Sequence, residues 1–174
     1  MADMNELKQT ATTVGEALSP ILLTPEGYRR LQQELEHLTM VKRPEIAERI
    51  RESQQHGEFS EDNSELDEVK FEQAMVESRI SELKALFGTA QVINEDEIPT
   101  DHVGMGSLVT LRDAEWGEEF AIRIVSSSEA DPVRDFVSNE SPMGVALMDR
   151  KVGDQIEVLA PDGKRSYTIV SIGK

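Results

Sequence analysis

Apolar residues recur in steps of three and four after residue 27, the spacing that places side chains on one face of a helix. The first members of this face are Tyr28, Leu31, Leu35 and Leu38. Just before them, Thr24 offers a hydroxyl that can cap a helix, and Pro25 suits the first helical position. The pattern therefore predicts a helix that starts at Pro25 and runs towards His56.

Pro44 interrupts this helical pattern. Proline has no backbone N–H, and its ring crowds the carbonyl four residues earlier. We therefore expect the helix to bend or weaken near Pro44. The apolar face resumes at Ile46, Ala47 and Ile50.

A second helical pattern begins near Asn63 or Ser64, both of which are good helix caps. Its face comprises Leu66, Val69, Gln73, Val76, Ile80, Leu83 and Phe87. Gln73 is the lone polar member and a candidate for fixing the register, and Gly88 supplies a stop. Because the two faces are similar in length and joined by a short turn, they predict an antiparallel α-helical coiled-coil hairpin.

The period of the pattern changes from helical to alternating in the second half of the chain. Four segments alternate as half-buried strands do. They are Ser107–Leu111, Phe120–Val125, Gln155–Leu159 and Tyr167–Val170. A short helical segment opens at Ser141 and Pro142 and runs to Met148. This half is predicted to be a small antiparallel β-sheet with one short helix, which makes the whole chain α+β.

These patterns divide the chain into three regions. Residues 1–20 lack periodicity and are expected to form a flexible N-terminal extension. Residues 21–94 form the hairpin domain, and residues 95–174 form the sheet domain. The boundary falls near Asn94 to His102, where periodicity fades and Pro99 interrupts the chain.

Charge and composition exclude several classes of function. The chain has 34 acidic and 18 basic residues, a formal net charge of -16, which argues against wrapping duplex nucleic acid. The absence of cysteine excludes disulfides, thiolate catalysis and cysteine zinc sites. No apolar run approaches the roughly 20 residues of a membrane span, and no secretory signal opens the sequence. We expect a cytoplasmic protein.

Acidic residues crowd the turn between the two helical patterns and the start of the second. They are Glu58, Glu61, Asp62, Glu65, Asp67, Glu68 and Glu72, with Lys70 the one base among them. Carboxylate oxygens suit Mg²⁺, which usually takes one or two protein carboxylates and keeps several waters. Such a turn can therefore complete a metal site in a larger assembly, although it cannot build a full cage alone. A solvated acidic turn is the alternative.

The first helix also carries six basic side chains. They are Arg29, Arg30, Lys42, Arg43, Arg49 and Arg51. Arg49 and Arg51 lie near enough to the acidic turn to meet a phosphate backbone that enters there. The helix contains about as many acids, so a solvated, salt-bridged surface is the alternative.

Several short stretches together resemble the bacterial Gre transcript-cleavage factors, most closely the GreA type. They include Leu23–Gly27, Glu34–Leu38, Arg43–Ile46, His56–Glu61, Ala90–Ile93, Glu129–Asp131, Asn139–Pro142 and Lys151–Asp154. The resemblance runs from about Leu22 to the C-terminus. It implies an FKBP-like C-terminal domain and a monomeric factor that is not itself a nuclease.

The resemblance also implies a mechanism and roles for particular residues. The hairpin would enter the secondary channel of a backtracked RNA polymerase, which cuts its own transcript near the 3′ end. Glu58, Glu61 and Asp62 would serve catalysis there, with Glu58 and Glu61 helping to hold a second Mg²⁺ shared with the polymerase. The other implied contacts are Arg43, Arg49 and Arg51 towards the RNA, and Asn139, Ser141 and Pro142 on the polymerase.

The acidic turn departs from the pattern that it resembles. Glu58 stands where the family has an aspartate, Asp62 looks inserted before Asn63, and Leu66 replaces a frequent tyrosine. These changes keep the charge but alter the reach of the carboxylates. They motivate one rival to a cleavage-stimulating elongation factor, a Gre-like inhibitor that occupies the same channel. The FKBP-like fold suggests a second rival, a chaperone or prolyl isomerase.

Overall fold

The fold is described by a computed structural model over residues 19–56 and 64–174. Its first half contains β1 (Ile21–Leu23), α1 (Pro25–His37), a π-helical turn (Leu38–Lys42), α2 (Arg43–His56), α3 (Ser64–Thr89) and β2 (Ala90–Val92). The extension predicted for residues 1–20 lies almost wholly outside the described residues.

The apolar faces of the first two helical segments pack against α3. The most buried apolar side chains of these helices are Leu31, Ile46, Val69, Ile80, Leu83 and Leu86. At the base of the pair, the rings of Tyr28 and Phe87 meet edge to face, with centroids 5.1 Å apart and an interplanar angle of 78°. This packing confirms the predicted helical hairpin.

Two details of the predicted faces are wrong. Gln73 is exposed, and its neighbour Glu72 is the half-buried residue on that turn. Ala47 is also exposed, whereas Ile46 beside it is buried. Gln73 therefore cannot fix the register of the hairpin.

Apart from its buried stripe α3 is largely polar, and no helix within residues 19–56 or 64–174 is both long and apolar enough to cross a membrane.

The helix changes from α to π geometry just before Pro44. This agrees with the expectation that the helix weakens near the proline. The π-helical turn lies directly before it, and the backbone N–H of Arg43 donates to the carbonyl of Leu38, five residues earlier. The Thr39 hydroxyl donates to the Leu35 carbonyl at 2.7 Å. The wider turn lets the chain pass the proline ring and continue as α2.

The start of α1 is built as predicted. The Thr24 hydroxyl accepts a hydrogen bond from the backbone N–H of Gly27 at 3.0 Å, and Pro25 occupies the first turn. Directly before the helix, β1 pairs in parallel with β2, which follows α3. This short pairing ties the two ends of the hairpin together at its base.

The second half consists of short strands with two single-turn 3₁₀ helices and one α-helix among the described residues. Its elements are β3 (Leu108–Asp113), β4 (Glu119–Val125), β5 (Phe136–Ser138), α4 (Pro142–Leu147), β6 (Gln155–Ala160) and β7 (Gly163–Gly173). The 3₁₀ helices cover Glu95–Glu97 and Pro132–Arg134. The four predicted strands and the predicted helix are all present.

Strands β3 to β7 form a five-stranded sheet in the order β5-β4-β3-β7-β6. Most neighbours are antiparallel, but β5 pairs with β4 in parallel, Val137 opposite Ile124. The prediction of a wholly antiparallel sheet is wrong at this edge. The loop that contains Pro132–Arg134 returns the chain to Arg123, and β5 then runs beside the last three residues of β4 in the same direction.

The core of the sheet domain lies between the sheet and α4. Its buried members are Val103, Val109, Leu111, Ile122, Ile124, Leu147, Ile156, Tyr167 and Ile169. Leu147 is fully buried and comes from α4, which therefore covers the sheet. The α+β fold class is confirmed.

Candidate functional site

The acidic turn joins the ends of the hairpin helices that lie farthest from β1 and β2. Helix α2 ends at His56 and α3 begins at Ser64. The predicted catalytic and metal-binding residues Glu58, Glu61 and Asp62 fall between them, outside the described residues. Their roles and the shared Mg²⁺ therefore stay predictions.

The described residues next to this turn are also acidic. Glu65, Asp67 and Glu68 lie in the first two turns of α3 and are exposed. Carboxylates at a helix N-terminus are stabilised by the helix dipole. In the described part of the chain, no three His, Asp or Glu side chains are close enough together to hold a metal ion.

Ion pairs cross the hairpin along its length. Arg43 donates two hydrogen bonds to Glu77, both at 2.6 Å, and Arg49 donates to Glu72 at 2.5 Å. Nearer the base, Arg79 donates to Glu34 at 2.7 and 3.1 Å. Paired planar groups of this kind hold the two helices in one register.

All three arginines that the resemblance directs towards RNA have carboxylate partners in this structure. Arg43 and Arg49 pair across the hairpin, and Arg51 pairs with Glu48 one turn earlier at 2.5 Å. Their side chains are 41%, 49% and 66% exposed, so solvent and an incoming phosphate can both reach them. Each guanidinium has five N–H donors and uses only one or two of its nitrogens on the carboxylate, so donors remain for a phosphate. The RNA-facing role stays a prediction.

The Arg43–Glu77 pair makes hairpin stability depend on pH. The Arg43 guanidinium lowers the pKa of Glu77 below its ordinary value of 4.5. Because the folded pKa lies below the unfolded one, the stabilisation is complete above pH 4.5 and is lost as pH falls below that value. We expect Glu77→Gln to weaken the decline of unfolding free energy below pH 4.5, measured by urea unfolding and circular dichroism.

Glu36→Gln is the matched control, because Glu36 is an exposed glutamate of α1 in the same hairpin. It should follow the wild-type dependence on pH. A Glu77→Gln variant that loses stability in acid as steeply as the wild type would contradict the expectation.

The predicted polymerase-binding residues lie together at the corner between β5 and α4. The Ser141 hydroxyl accepts from the Gly144 N–H at 3.0 Å and donates to the Ser138 carbonyl at 2.7 Å, which caps α4. Pro142 is the first residue of that helix and is exposed. The backbone of Asn139 donates to Val125 at 2.9 Å. The structure thus gathers these three residues on one hydrogen-bonded corner, and their polymerase-binding role stays a prediction.

The two halves of the molecule meet where the start of α1 contacts the loop after β4. Glu129 in that loop is fully buried. Its carboxylate accepts from the Thr24 N–H at 2.9 Å and from the Thr24 hydroxyl at 2.5 Å. In the second turn of α1, Arg30 donates to the Glu129 carbonyl at 3.0 Å and lies 3.6 Å from the Asp131 carboxylate.

Sequence reasoning missed Glu129 as a functional candidate. The apolar pattern gives no sign that this acid is buried, because the loop around it is polar. The available signal was the stretch Glu129–Asp131, which belongs to the resemblance but carried no assigned role. A buried acid becomes recognisable only when its partner, here the start of α1, is in place.

Comparison with known families separates the chain into the same two halves. Residues 21–92 match the family described as "Transcription elongation factor, N-terminal", and residues 98–174 match "Transcription elongation factor, GreA/GreB, C-term". The chain belongs to the GreA/GreB family. It is therefore a transcription elongation factor, whose partner is RNA polymerase.

Individual members of the GreA/GreB family cover most of the chain. "Transcription elongation factor GreA" of Clostridium botulinum (strain Langeland / NCTC 10281 / Type F) is 46% identical over 153 residues, which span 88% of this chain and 95% of that protein. The factor of the same description from Acetivibrio thermocellus is 49% identical over 154 residues, 88% of this chain and 96% of that protein. The family resemblance seen in the sequence is thus confirmed.

A solved structure also resembles this GreA/GreB chain. The GreA factor homolog 1 (Gfh1) protein of Thermus thermophilus is 33% identical in sequence and aligns with a TM-score of 0.41. The alignment covers 89% of this chain and 99% of that one.

Proposed function

We propose that the chain stimulates the cleavage of backtracked transcripts by RNA polymerase, carrying the acids of residues 57–63 into the polymerase active centre through the secondary channel. The observation that supports this most directly is that α2 ends and α3 begins at the end of the hairpin remote from β1 and β2, and residues 57–63 fall between these two helix ends in the sequence. Membership of the GreA/GreB family supports the choice of partner. On this proposal the factor works in the cytoplasm.

The hairpin is a long arm whose helices are joined by ion pairs. Helix α3 contains 26 residues, which at about 1.5 Å per residue is a length of about 39 Å. Ion pairs from Glu34–Arg79 to Arg49–Glu72 brace the two helices in the middle part of α3. A brace of this kind holds the end of α2 and the start of α3 far from β1 and β2.

The chemistry of the turn suits Mg²⁺. Glu58 and Glu61 would supply the protein's carboxylate oxygens, and Asp62 offers a third close by. A second metal ion, when bound jointly with the polymerase, stabilises the attacking and leaving oxygens of the phosphodiester. The contribution of this chain is negative charge and hard oxygen ligands, so the polymerase's own residues must complete the site.

Two other surfaces would contribute to the same complex. Asn139, Ser141 and Pro142 form a corner on the sheet domain that offers a docking surface for the polymerase rim. Arg43, Arg49 and Arg51 lie on the hairpin on the way to its far end and would contact the extruded RNA through the N–H donors that their carboxylates leave free. Positive charge is what phosphate contacts need.

The alternative is a Gre-like factor that enters the same channel and inhibits the polymerase. The longer Glu58 side chain and the extra residue Asp62 favour this alternative, because Mg²⁺ accepts little error in ligand position. Both functions use the same hairpin, so binding alone does not separate them.

The deciding experiment measures release of short 3′ RNA fragments from halted, backtracked RNA polymerase with ample Mg²⁺. We expect addition of the chain to raise the release rate well above that of polymerase alone. Abortive initiation is measured in parallel. Cleavage at the intrinsic rate combined with reduced abortive synthesis would establish the inhibitor instead, and no effect on either reaction would refute both proposals.

A further inference from the structure

A buried carboxylate joins the sheet domain to the start of α1. Both oxygens of Glu129 act as acceptors, one from the backbone N–H and the other from the hydroxyl of Thr24. That hydroxyl in turn accepts from the Gly27 N–H. A chain of hydrogen bonds thus runs from the carboxylate to the first turn of the helix, whose dipole favours negative charge at this end.

Gly27 allows the carboxylate to approach the helix this closely. A Cβ atom at position 27 would lie 1.6 Å from Oε1 and 2.1 Å from Cδ of Glu129. No side chain can therefore occupy position 27 while Glu129 keeps its place. Gly27 is itself buried, so the overlap has no route into solvent.

Further contacts surround this central one. Arg30 reaches the Glu129 carbonyl and Asp131, while Glu26 accepts a hydrogen bond from Arg134 of the same loop. The guanidinium of Arg134 lowers the pKa of Glu26. Glu26 and Arg30 are four residues apart and lie on one face of α1, while Thr24 is its N-cap. Contacts thus extend from the start of α1 into its second turn and oppose tilting of the helix against the loop.

A small rotation at this joint has a large effect at the acidic turn. Because α3 has 26 residues and a length of about 39 Å, a rotation of about 10° at the base moves the far end by about 7 Å. Ligands of Mg²⁺ must lie near 2.0–2.1 Å from the ion, at roughly octahedral positions. The direction of the hairpin therefore has to be held within narrow limits if the acids are to meet a metal ion in another protein.

We propose that Glu129 is a positioning residue, which seats in the space left by Gly27 and sets the direction of the hairpin relative to the sheet domain. The consequence for transcript cleavage rests on the proposed function. The geometric part of the inference does not depend on it. The experiment below therefore has one arm on the isolated factor and another on the polymerase complex.

The first arm measures the distance between spin labels on the two halves of the full chain. The protein has no cysteine, so Gln73→Cys on α3 and Val152→Cys on the sheet domain, both exposed, give a unique label pair. Glu129→Ala and Gly27→Ala should each shift or broaden the distance distribution by on the order of 5 Å. Glu129→Gln keeps the volume and one acceptor oxygen, so it should give a smaller change.

The controls separate this contact from general effects of mutation. Gly88→Ala lies on the same hairpin, where an added Cβ meets nothing within 4 Å, and should leave the distribution unchanged. The double variant Gly27→Ala/Glu129→Ala should be no broader than Glu129→Ala alone, because the overlap is already relieved. Wild-type distributions in both Glu129→Ala and Glu129→Gln would overturn the proposal.

The second arm measures cleavage as the concentration of each variant is raised to saturation. Glu129→Ala should lower the maximal rate about tenfold or more, because misplaced carboxylates of the acidic turn lower reactivity. The half-saturating concentration should change by less than about threefold, because the proposed docking corner at residues 139–142 is untouched. A displaced hairpin with the wild-type maximal rate would overturn the functional consequence. If the wild type itself stimulates no cleavage, the proposed function fails while the first arm still decides the role of Glu129.

Discussion

Replacing either Glu58 or Glu61 by glutamine should lower the stimulated rate of transcript cleavage by about a hundredfold, towards that of the polymerase alone. Glutamine keeps the size of the side chain but removes the charge that makes a carboxylate a good Mg²⁺ ligand. Charge stabilisation by a metal ion is worth several kcal/mol in the transition state, and each 1.4 kcal/mol is about tenfold in rate. The measurement is the maximal release rate of 3′ fragments across a Mg²⁺ titration.

The neighbouring acids serve as controls for this loss. Glu65→Gln removes one charge from the exposed first turn of α3 and should leave the rate near that of the wild type. Asp62→Asn should have a smaller effect than the Glu58 and Glu61 variants, since Asp62 is the residue that looks inserted. Equal, modest losses in all four variants would mean that the net charge of the turn matters and that particular ligands do not.

The substitution Leu83→Ala should lower the unfolding free energy of the factor by about 2–5 kcal/mol. Leu83 is 1% exposed and packs with Leu23, Leu31 and Leu86 at the base of the hairpin. Truncation removes apolar contact and leaves a cavity that rigid neighbours on two helices and a strand fill only in part. Urea unfolding followed by far-ultraviolet circular dichroism measures the change.

Met75→Ala is the matched control for Leu83→Ala, because Met75 lies on the same helix but is 58% exposed. It should change stability by less than about 0.5 kcal/mol. Similar losses in the two variants would show that the cluster around Leu83 is not the main source of stability in the hairpin.

The hairpin shows which structural features a periodic apolar pattern can predict. The steps of three and four predicted both helices and most of their buried faces, because burial of one stripe per helix follows directly from 3.6 residues per turn. The pattern placed Gln73 in the stripe, whereas Glu72 occupies that side and pairs with Arg49. Which of two adjacent polar residues faces inward depends on the partner helix, and a single-helix pattern contains no information about it.

Strand β5 at the edge of the sheet shows a second limit of prediction from the local sequence pattern. Strand β5 has three residues, too few for alternation to be visible, and its parallel pairing depends on the route of the loop before it. The longer strands β3, β4, β6 and β7 carry enough alternating positions to be recognised. Local pattern thus identifies strands of sufficient length, while the direction of a short edge strand is decided by the connection.

The sequence by itself determined the α+β class, the helical hairpin and the acidic residues between the helices, because each depends on local periodicity, local capping or residue type. The family was indicated separately, by the resemblance of several short stretches. The tertiary structure alone decided how the two halves are joined. Glu129 and Gly27 are about a hundred residues apart, and each is unremarkable in its own segment. Their contact exists only when the loop after β4 packs on the first turn of α1, since a buried charge needs partners that distant parts of the chain supply.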